Sequence, residues 1–237
     1  MGVFEDHLLA PQTRRGAAIA LAAFMCAAAA AGLRADPLDT ARGSSIESIP
    51  VEEIAWRKSF PLGRPNRGAL VHGVQLPAEG PDFFTVDPVF GASPNRDWRR
   101  WAADTTLRKL LRVIGAYRDA NPGAPRVGIG DLSRPRGGPF GRRFGGLGHA
   151  SHQNGLDVDL YYPRDDGLEL PPGSVADINR ALSRGLVRRF VRAGAVFVFV
   201  GPRTKLRKGP KRVVQKLVHH DDHMHIRFRA KTGGRTG

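Results

Sequence analysis

The chain has 237 residues and a formal net charge of +15, from 37 Lys and Arg against 22 Asp and Glu. Its single cysteine excludes a disulfide framework and a metal site built from cysteines. The length allows one well-buried core and is short for two full domains.

The amino terminus matches an export signal. Arg14 and Arg15 precede an apolar stretch at residues 16–31, which is the order of the charged and apolar regions of a secretory signal. This stretch is shorter than the ~20 residues that a membrane span normally needs. We therefore predict a signal peptide over residues 1–31, with an uncleaved membrane anchor as the alternative. The cysteine, Cys26, lies inside this segment.

A linker and one folded domain are predicted to follow. Residues 32–54 lack a clear period, whereas an α+β domain is predicted over 55–229. Apolar residues recur at helical spacing over 105–119 and 175–193, which predicts two helices. The predicted strands are 69–76, 83–86, 127–132, 156–161, 196–200 and 223–228. The tail at 230–237 is predicted to be disordered.

Histidines are concentrated in two clusters. Six of the eight lie in His149-Ala-Ser-His152-Gln-Asn-Gly-Leu-Asp157-Val-Asp159 and His219-His220-Asp221-Asp222-His223-Met224-His225. Imidazole and carboxylate suit Zn²⁺, and a catalytic zinc takes three protein ligands with one position open for water. The two clusters together supply such a set without cysteine, which indicates a metal-dependent hydrolase.

Alternation along two predicted strands brings the clusters together. Successive side chains of a strand point to opposite faces, so Asp159 lies on a polar face opposite an apolar one, and so does His225. If the two strands are neighbours, His225 lies beside Asp159. The turn-forming Asn154-Gly155 would let His152 fold back and complete a triangle.

The clusters resemble a known zinc site. His-x6-Asp followed by His-x-His is similar to the site shared by lysostaphin-type peptidases, D-alanyl-D-alanine peptidases and the hedgehog signalling domain. Within that superfamily the sequence most resembles the penicillin-insensitive murein endopeptidases. Further similar segments are Gly68-Ala-Leu-Val-His-Gly-Val-Gln-Leu-Pro77, Gly130-Asp-Leu-Ser133 and Val198-Phe-Val-Gly-Pro202. We expect a single domain with a central, mainly antiparallel sheet that carries the zinc site and is flanked by helices.

The resemblance implies roles for seven residues. The implied metal ligands are His152, Asp159, His225 and, ranked below them, His149. The implied catalytic residues are His223, Asp222 and His220. Whether His223 or Asp222 is the general base stays open at this point. The stretch after Asp159 shows no Asp-x-x-His, which argues against a second metal site.

The implied function is that of a secreted zinc metallopeptidase, which hydrolyses D-alanyl peptide cross-links of bacterial peptidoglycan with zinc-activated water. A D,D-carboxypeptidase or dipeptidase of the same superfamily and a non-catalytic, zinc-containing wall-binding domain are the alternatives. The export signal predicts a periplasmic or extracellular location, where peptidoglycan and anionic cell-wall polymers are expected partners. Neither nucleic acid nor an integral membrane domain beyond the N-terminal segment is expected. The basic run at 205–212 is interpreted as a solvated loop.

Overall fold

The fold is described for residues 53–144, 149–207 and 209–230, in a computed structural model. The predicted signal segment at 1–31 lies outside these residues, as do most of the linker at 32–54 and most of the tail at 230–237. Among the described residues, no helix is both long enough and apolar enough to cross a membrane.

Two α-helices and eleven short strands make up the described part of the chain. The helices are α1 (Asp104–Asp119) and α2 (Arg180–Arg192). The strands are β1 (Phe60–Arg64), β2 (Arg67–Val71), β3 (Val74–Gln75), β4 (Glu79–Gly80), β5 (Phe83–Thr85), β6 (Trp101–Ala102), β7 (Val127–Ile129), β8 (Asp157–Tyr161), β9 (Ala195–Val200), β10 (Val214–Lys216) and β11 (His223–Phe228). Single 3₁₀ turns occur at Asp97–Arg99 and Arg142–Phe144.

A seven-stranded sheet forms the centre of the fold, in the order β10-β9-β11-β8-β7-β5-β4. Strand β11 pairs antiparallel with both β8 and β9, and β7 with β8 and β4 with β5 are antiparallel as well. Only β10 with β9 and β5 with β7 run parallel within this sheet. The expected α+β fold with a central, mainly antiparallel sheet flanked by helices is confirmed.

The two faces of this sheet differ in chemistry because side chains alternate along its strands. Val158 and Leu160 of β8 and Ile226 of β11 share one buried cluster with residues of both helices, including Ile114 and Phe190. Complete burial of such a side chain contributes about 1.5–3 kcal/mol. The helices therefore cover one face of the sheet, and the opposite face is left to the polar residues of the histidine clusters.

The second helix begins later than the sequence predicted. Helix α1 agrees with its predicted bounds to one residue, but α2 begins at Arg180 rather than at residue 175. Asn179 caps α2, since its Oδ1 accepts a hydrogen bond from the Leu182 amide at 3.0 Å. The residues before it form a turn, in which the Asp177 carboxylate accepts from the Ser174 amide at 2.8 Å.

The strand predicted over 69–76 is two strands, β2 and β3. His72 lies between them with a φ of 53°, a left-handed backbone conformation that interrupts a strand. Strands β1 and β10 were not predicted, and neither were the two-residue strands β4 and β6. Most of β1 is exposed, and β10 has only three residues and pairs parallel with β9, so neither shows an alternating pattern.

Candidate metal centre

The site lies on the polar face of two neighbouring strands, β8 and β11. Their antiparallel register sets His225 opposite Asp159 and Arg227 opposite Asp157. Directly opposed side chains have Cβ atoms about 4.5–5.5 Å apart, which is close enough for polar contact. The pairing of His225 with Asp159 that strand alternation predicted is thus confirmed.

His152 reaches the same place from a tight turn. Its backbone has a φ of 66°, and Gly155 follows with a φ of 73°. A Cβ at position 155 would lie 2.7 Å from the Ala103 amide nitrogen, so the turn requires glycine there. The His152 amide donates to Asp157 Oδ2 at 2.9 Å. Its ring is fully buried, with Nδ1 at 2.6 Å from the Leu132 carbonyl oxygen.

His225 presents its two ring nitrogens to two carboxylates. Nδ1 lies 3.0 Å from Asp159 Oδ1, and Nε2 lies 3.2 Å from Asp157 Oδ1. Burial acts to lower the pKa of His225, but the hydrogen bonds to Asp157 and Asp159 outweigh it and raise the pKa to about 9. Asp157 is held in turn by Arg227, whose Nε donates at 2.6 Å. Burial opposes the charge of Asp157, yet the contacts with His225 and Arg227 lower its pKa.

His149 is oriented by a buried ion pair. Its Nε2 lies 2.6 Å from Asp131 Oδ2, and Asp131 also pairs with the guanidinium of Arg99. Asn95 Nδ2 donates to the other oxygen of Asp131 at 3.2 Å. Burial opposes the charge of Asp131, but the contacts with His149 and Arg99 lower its pKa. His149 Nδ1 is left facing Asp159 Oδ2 at 3.8 Å.

One ring nitrogen of each of these three histidines is therefore directed at Asp159. The other nitrogen faces a carbonyl or carboxylate oxygen, which only accepts, so that nitrogen carries a proton. His152 Nε2 lies 3.2 Å from His225 Nδ1 and 3.3 Å from Asp159 Oδ2. Candidate ligand atoms of His149, His152 and Asp159 all lie within 4.8 Å of one another. Without a metal ion, protonated His225 balances the charge of Asp159, and a bound metal ion would displace that proton.

The chemistry of this donor set fits zinc. Neutral imidazole nitrogens and a carboxylate oxygen are ligands that zinc accepts in catalytic sites. Burial opposes the charge of Asp159, but His152 and His225 hold the pKa of its carboxyl well below the usual value. Asp159 is consequently ionised at neutral pH, as metal binding requires.

The three predicted catalytic residues stand beside this cluster. His223 Nδ1 lies 2.7 Å from Asp222 Oδ1, and its Nε2 lies 3.9 Å from Asp159 Oδ1. The ring centroid of His220 is 4.7 Å from that of His223. Burial, followed by the charge of His223, lowers the pKa of His220 to about 4, so the ring is neutral at pH 7. Burial opposes the charge of Asp222, but the hydrogen bond from His223 lowers its pKa.

The turn that carries His220 is held by residues that directly follow β8 and β9. The Tyr162 hydroxyl donates to the His220 carbonyl oxygen at 3.1 Å and accepts from the Gly201 amide at 3.3 Å. A Cβ at position 201 would lie 2.5 Å from the same carbonyl oxygen, so only glycine allows this close approach. Asp221 Oδ1 accepts from the Arg203 amide at 3.1 Å. The position of His220 therefore depends on residues far from it in sequence.

A cleft of about 770 Å³ opens over the cluster. The predicted site residues that line it are His149, Asp159, His220, Asp222, His223 and His225. His152 lies fully buried beneath them. Leu217 and Val218, which are 40% and 62% exposed, give one wall an apolar character. A cleft of this volume is within the range of small-molecule and peptide-end binding sites, about 300–1,000 Å³.

Comparison with known proteins assigns the family. The family model described as penicillin-insensitive murein endopeptidase matches residues 61–190, more than half of the 237 residues. The chain belongs to the penicillin-insensitive murein endopeptidase family. The matched region contains His149, His152 and Asp159 and ends before the second histidine cluster.

Curated relatives in the penicillin-insensitive murein endopeptidase family have modest identity to the chain. The protein of that name from Klebsiella pneumoniae subsp. pneumoniae is 26% identical over 197 residues, which is 73% of this chain and 67% of the relative. The one from Escherichia coli is 32% identical over 217 residues, 80% of this chain and 74% of the relative. The one from Haemophilus influenzae is 30% identical over 153 residues, 65% of this chain and 45% of the relative. The chain thus spans between 45% and 74% of these three relatives.

For this member of the murein endopeptidase family, the structure brings all seven predicted site residues into one place. Sequence reasoning did not find three of the groups that orient them: the Leu132 carbonyl, the Arg99 guanidinium and the Tyr162 hydroxyl. A backbone carbonyl has no signature in the sequence. Arg99 is one of several arginines near it in the chain, and nothing in their pattern marks the one that is buried.

Proposed function

We propose that this protein is a zinc-dependent murein D,D-endopeptidase, which hydrolyses D-alanyl peptide cross-links of peptidoglycan outside the cytoplasm. The observation that carries the proposal is the convergence of His152 Nε2, His225 Nδ1 and the Asp159 carboxylate at the floor of an open cleft. The family and the names of its members support the substrate. The predicted signal segment supports the location.

Zinc would be held by His152, Asp159 and His225, with His149 close enough to contribute its Nδ1. Three protein ligands with one open position are the pattern of a catalytic rather than a structural zinc site. When bound, zinc acts as a Lewis acid and lowers the pKa of a coordinated water from ~15.7 to about 7. Asp157 and Asp131 hold the rings of His225 and His149 in place for this role.

His223 is the general base in this proposal. Asp222 Oδ1 accepts the Nδ1 proton of His223 at 2.7 Å, which leaves the Nε2 lone pair facing the cluster, 3.9 Å from Asp159 Oδ1. Nε2 accepts a proton from the attacking water and returns it to the leaving amine. Asp222 keeps the ring in this tautomer and stabilises its charged form, so it positions the base rather than replacing it.

His220 and the apolar wall bind the substrate in this proposal. The Val218 carbonyl oxygen lies 2.7 Å from His220 Nδ1 and holds the proton of the neutral ring there. His220 Nε2 then accepts a hydrogen bond from a peptide N–H of the substrate. The exposed Leu217 and Val218 offer apolar contact to the methyl groups of alanyl residues.

Product analysis of purified cross-linked muropeptides tests the reaction. The full-length protein should convert dimers into monomers in the presence of penicillin, without releasing free D-alanine. A zinc chelator should stop the reaction and added Zn²⁺ should restore it. Release of D-alanine from uncross-linked stems with intact dimers would instead identify a carboxypeptidase. Binding to sacculi without any cleavage by the zinc-loaded protein would identify a wall-binding domain.

The zinc content of single-residue variants distinguishes the proposed metal ligands from the proposed general base. His225→Ala should lose both zinc and activity, because one of three ligands is gone. His223→Ala should keep about one zinc per chain and turn over at least about 10²-fold more slowly. His72→Asn, at an exposed histidine outside the cluster, is the matched control and should change neither quantity. Full zinc occupancy in His225→Ala would contradict the ligand assignment.

A further inference from the structure

A long segment of the chain carries cations without any carboxylate. Residues 180–212 contain eleven Arg and Lys and no Asp or Glu. At the average for the whole chain, 22 acidic residues in 237, about three would be expected in a stretch of this length. The excess of positive charge is therefore local, and the fold determines which surface it reaches.

The cations of α2 form a stripe along one side of the helix. Arg184, Arg188 and Arg192 follow one another at four-residue spacing, which places them on the same side. The buried side of α2 contains Leu186 and Phe190, so the exposed Arg188 and Arg192 face away from the sheet. Arg184 is half-buried, and its Nε is enclosed. Within the described residues, none of the three arginines forms an ion pair with a carboxylate.

Helix α1 adds cations to the same layer. Arg108 and Arg112 are exposed and lie on the side of α1 opposite its buried residues. Both helices pack against one face of the central sheet, so the outward sides of both face away from it. Asp119, the last residue of α1, is an exposed carboxylate at the end of this surface. We define the basic layer surface as the exposed residues Arg108, Arg112, Arg188 and Arg192.

The first described residues run along this layer. The guanidinium carbon of Arg108 lies 4.0 Å from the centroid of the Trp56 ring. Ser59 Oγ donates to Asp104 Oδ1 at 2.7 Å in the first turn of α1. Trp56 is 38% exposed beside the cations, and tryptophan is a side chain that favours the boundary between membrane and water. The predicted apolar segment at 16–31 precedes these residues in the chain.

We propose that the basic layer surface docks on an anionic phospholipid bilayer, and that the cleft on the opposite face of the sheet is turned away from it. Along β8 and β11, Val158 and Ile226 face the helices, whereas Asp159 and His225 face the cleft. Docking through the helices therefore leaves the cleft free for a polymer that lies beyond the membrane.

A bilayer is the occupant that these features favour. The cations lie on the outward sides of two packed helices rather than in a groove that would follow a single polymer strand. Each Lys or Arg held near an anionic membrane contributes about fivefold to the binding constant. The attraction decays over about 8 Å at physiological ionic strength, so it depends on cations at the contact rather than on net charge.

Vesicle binding tests the docking surface directly. The full-length protein is sedimented with vesicles of phosphatidylethanolamine and phosphatidylglycerol at 3:1, and with vesicles of phosphatidylcholine alone. The triple variant Arg112→Gln/Arg188→Gln/Arg192→Gln should bind the anionic vesicles about 100-fold more weakly, with little change on the zwitterionic ones. The variant and the unaltered protein carry the same N-terminal segment, so its contribution cancels in the ratio of their binding constants. Glutamine preserves helix propensity, and circular dichroism confirms folding.

A matched variant removes equal charge from another surface. Arg64→Gln/Arg67→Gln/Arg136→Gln alters exposed arginines of β1 and β2 and of the segment bonded to β2 at Leu70, and should change binding less than about threefold. All measurements are repeated with His223→Ala added, so that binding is scored independently of the proposed peptidase activity. Equal losses in the two triple variants would overturn the proposal, as would unchanged vesicle binding of the variant with Arg112, Arg188 and Arg192 replaced. If the same variant lost binding to purified sacculi but kept its binding to anionic vesicles, the occupant would be a wall polymer, and the proposal would again be overturned.

Discussion

Asp157 is surrounded by hydrogen-bond donors on three sides. The His152 amide, His225 Nε2 and the Arg227 guanidinium all face its two oxygens. The carboxylate thereby connects the turn that carries one zinc-binding candidate with the strand that carries another. Because Asp157 accepts a hydrogen bond from His225 Nε2, His225 Nδ1 is left directed at Asp159. One buried residue outside the proposed ligand set thus determines how two of its histidines are presented.

Replacing this carboxylate should weaken zinc binding without removing a ligand. In Asp157→Asn the amide NH₂ must face one of the three donors, which disturbs His225 or the turn at His152. We expect zinc affinity to fall about 10- to 100-fold, the usual range for a partner of a metal-binding histidine. Competition with a chelating dye measures the change. Asp166→Asn, at an exposed carboxylate paired with Arg164, is the control and should bind zinc as the unaltered protein does.

The sequence predicted part of this site at the level of single residues. Strand alternation was enough to set His225 beside Asp159, because both strands have one apolar and one polar face. Alternation gives no information about the Leu132 carbonyl, which lies after the end of β7, or about Arg99, which ends the 3₁₀ turn Asp97–Arg99. These contacts depend on the packing of segments that are distant in sequence.

Among the larger elements, α2 shows why a helix can begin inside an apolar pattern. Asn179 supplies the cap, and Ser174 supports the preceding turn by accepting from the Ala176 amide at 3.1 Å. Asn179→Ala should lower the free energy of unfolding by about 1 kcal/mol, since the Leu182 amide loses its acceptor. Ser174→Ala should cost less than about 0.5 kcal/mol, as exposed substitutions usually do. Chemical denaturation of both variants compares the two values, and equal losses would place the helix start at the earlier position.

The elements that could be predicted are those with a clear period. Strands β8 and β11 and helix α1 each have one apolar, buried side and one polar or exposed side. The period of apolar residues in their sequences therefore predicts these elements. Strand β10 could not be found in this way, because it is defined by parallel pairing with β9 rather than by its own residues. The division between β2 and β3 at His72 depends on a single backbone conformation, which the identity of the side chain does not predict.

Across the whole molecule, the three tyrosines of the chain are all buried. Burial raises the pKa of the Tyr117 hydroxyl from 10.0 to about 12, although Arg118 and Arg189 act against it. Burial also raises the pKa values of Tyr161 and Tyr162. Below pH 10 the hydroxyls are protonated in both the folded and the unfolded chain. Above pH 10 the unfolded chain ionises first, so the free energy of unfolding falls as the pH rises.

Alkaline titration should reveal this coupling. The folded protein should show no tyrosinate absorbance with a midpoint near pH 10, and its free energy of unfolding should decline between pH 10 and about 12. In Tyr117→Phe part of that decline should disappear, because one titrating group has been removed. Ultraviolet absorbance and denaturation at several pH values provide the two measurements. An ordinary titration midpoint for all three tyrosines in the folded state would contradict the prediction.

His219 in the cleft wall and His152 buried beneath the cleft have left-handed backbones, with φ of 62° and 66°. For a side chain other than glycine, such a conformation costs of the order of 1 kcal/mol. His219 is exposed and lines the cleft, so a glycine there would relieve this cost while removing part of the wall. Selection for heat resistance and selection for a well-defined cleft therefore favour different residues at position 219. In a laboratory evolution experiment that selects for thermal stability alone, we expect substitutions in the wall of the cleft before substitutions in the core.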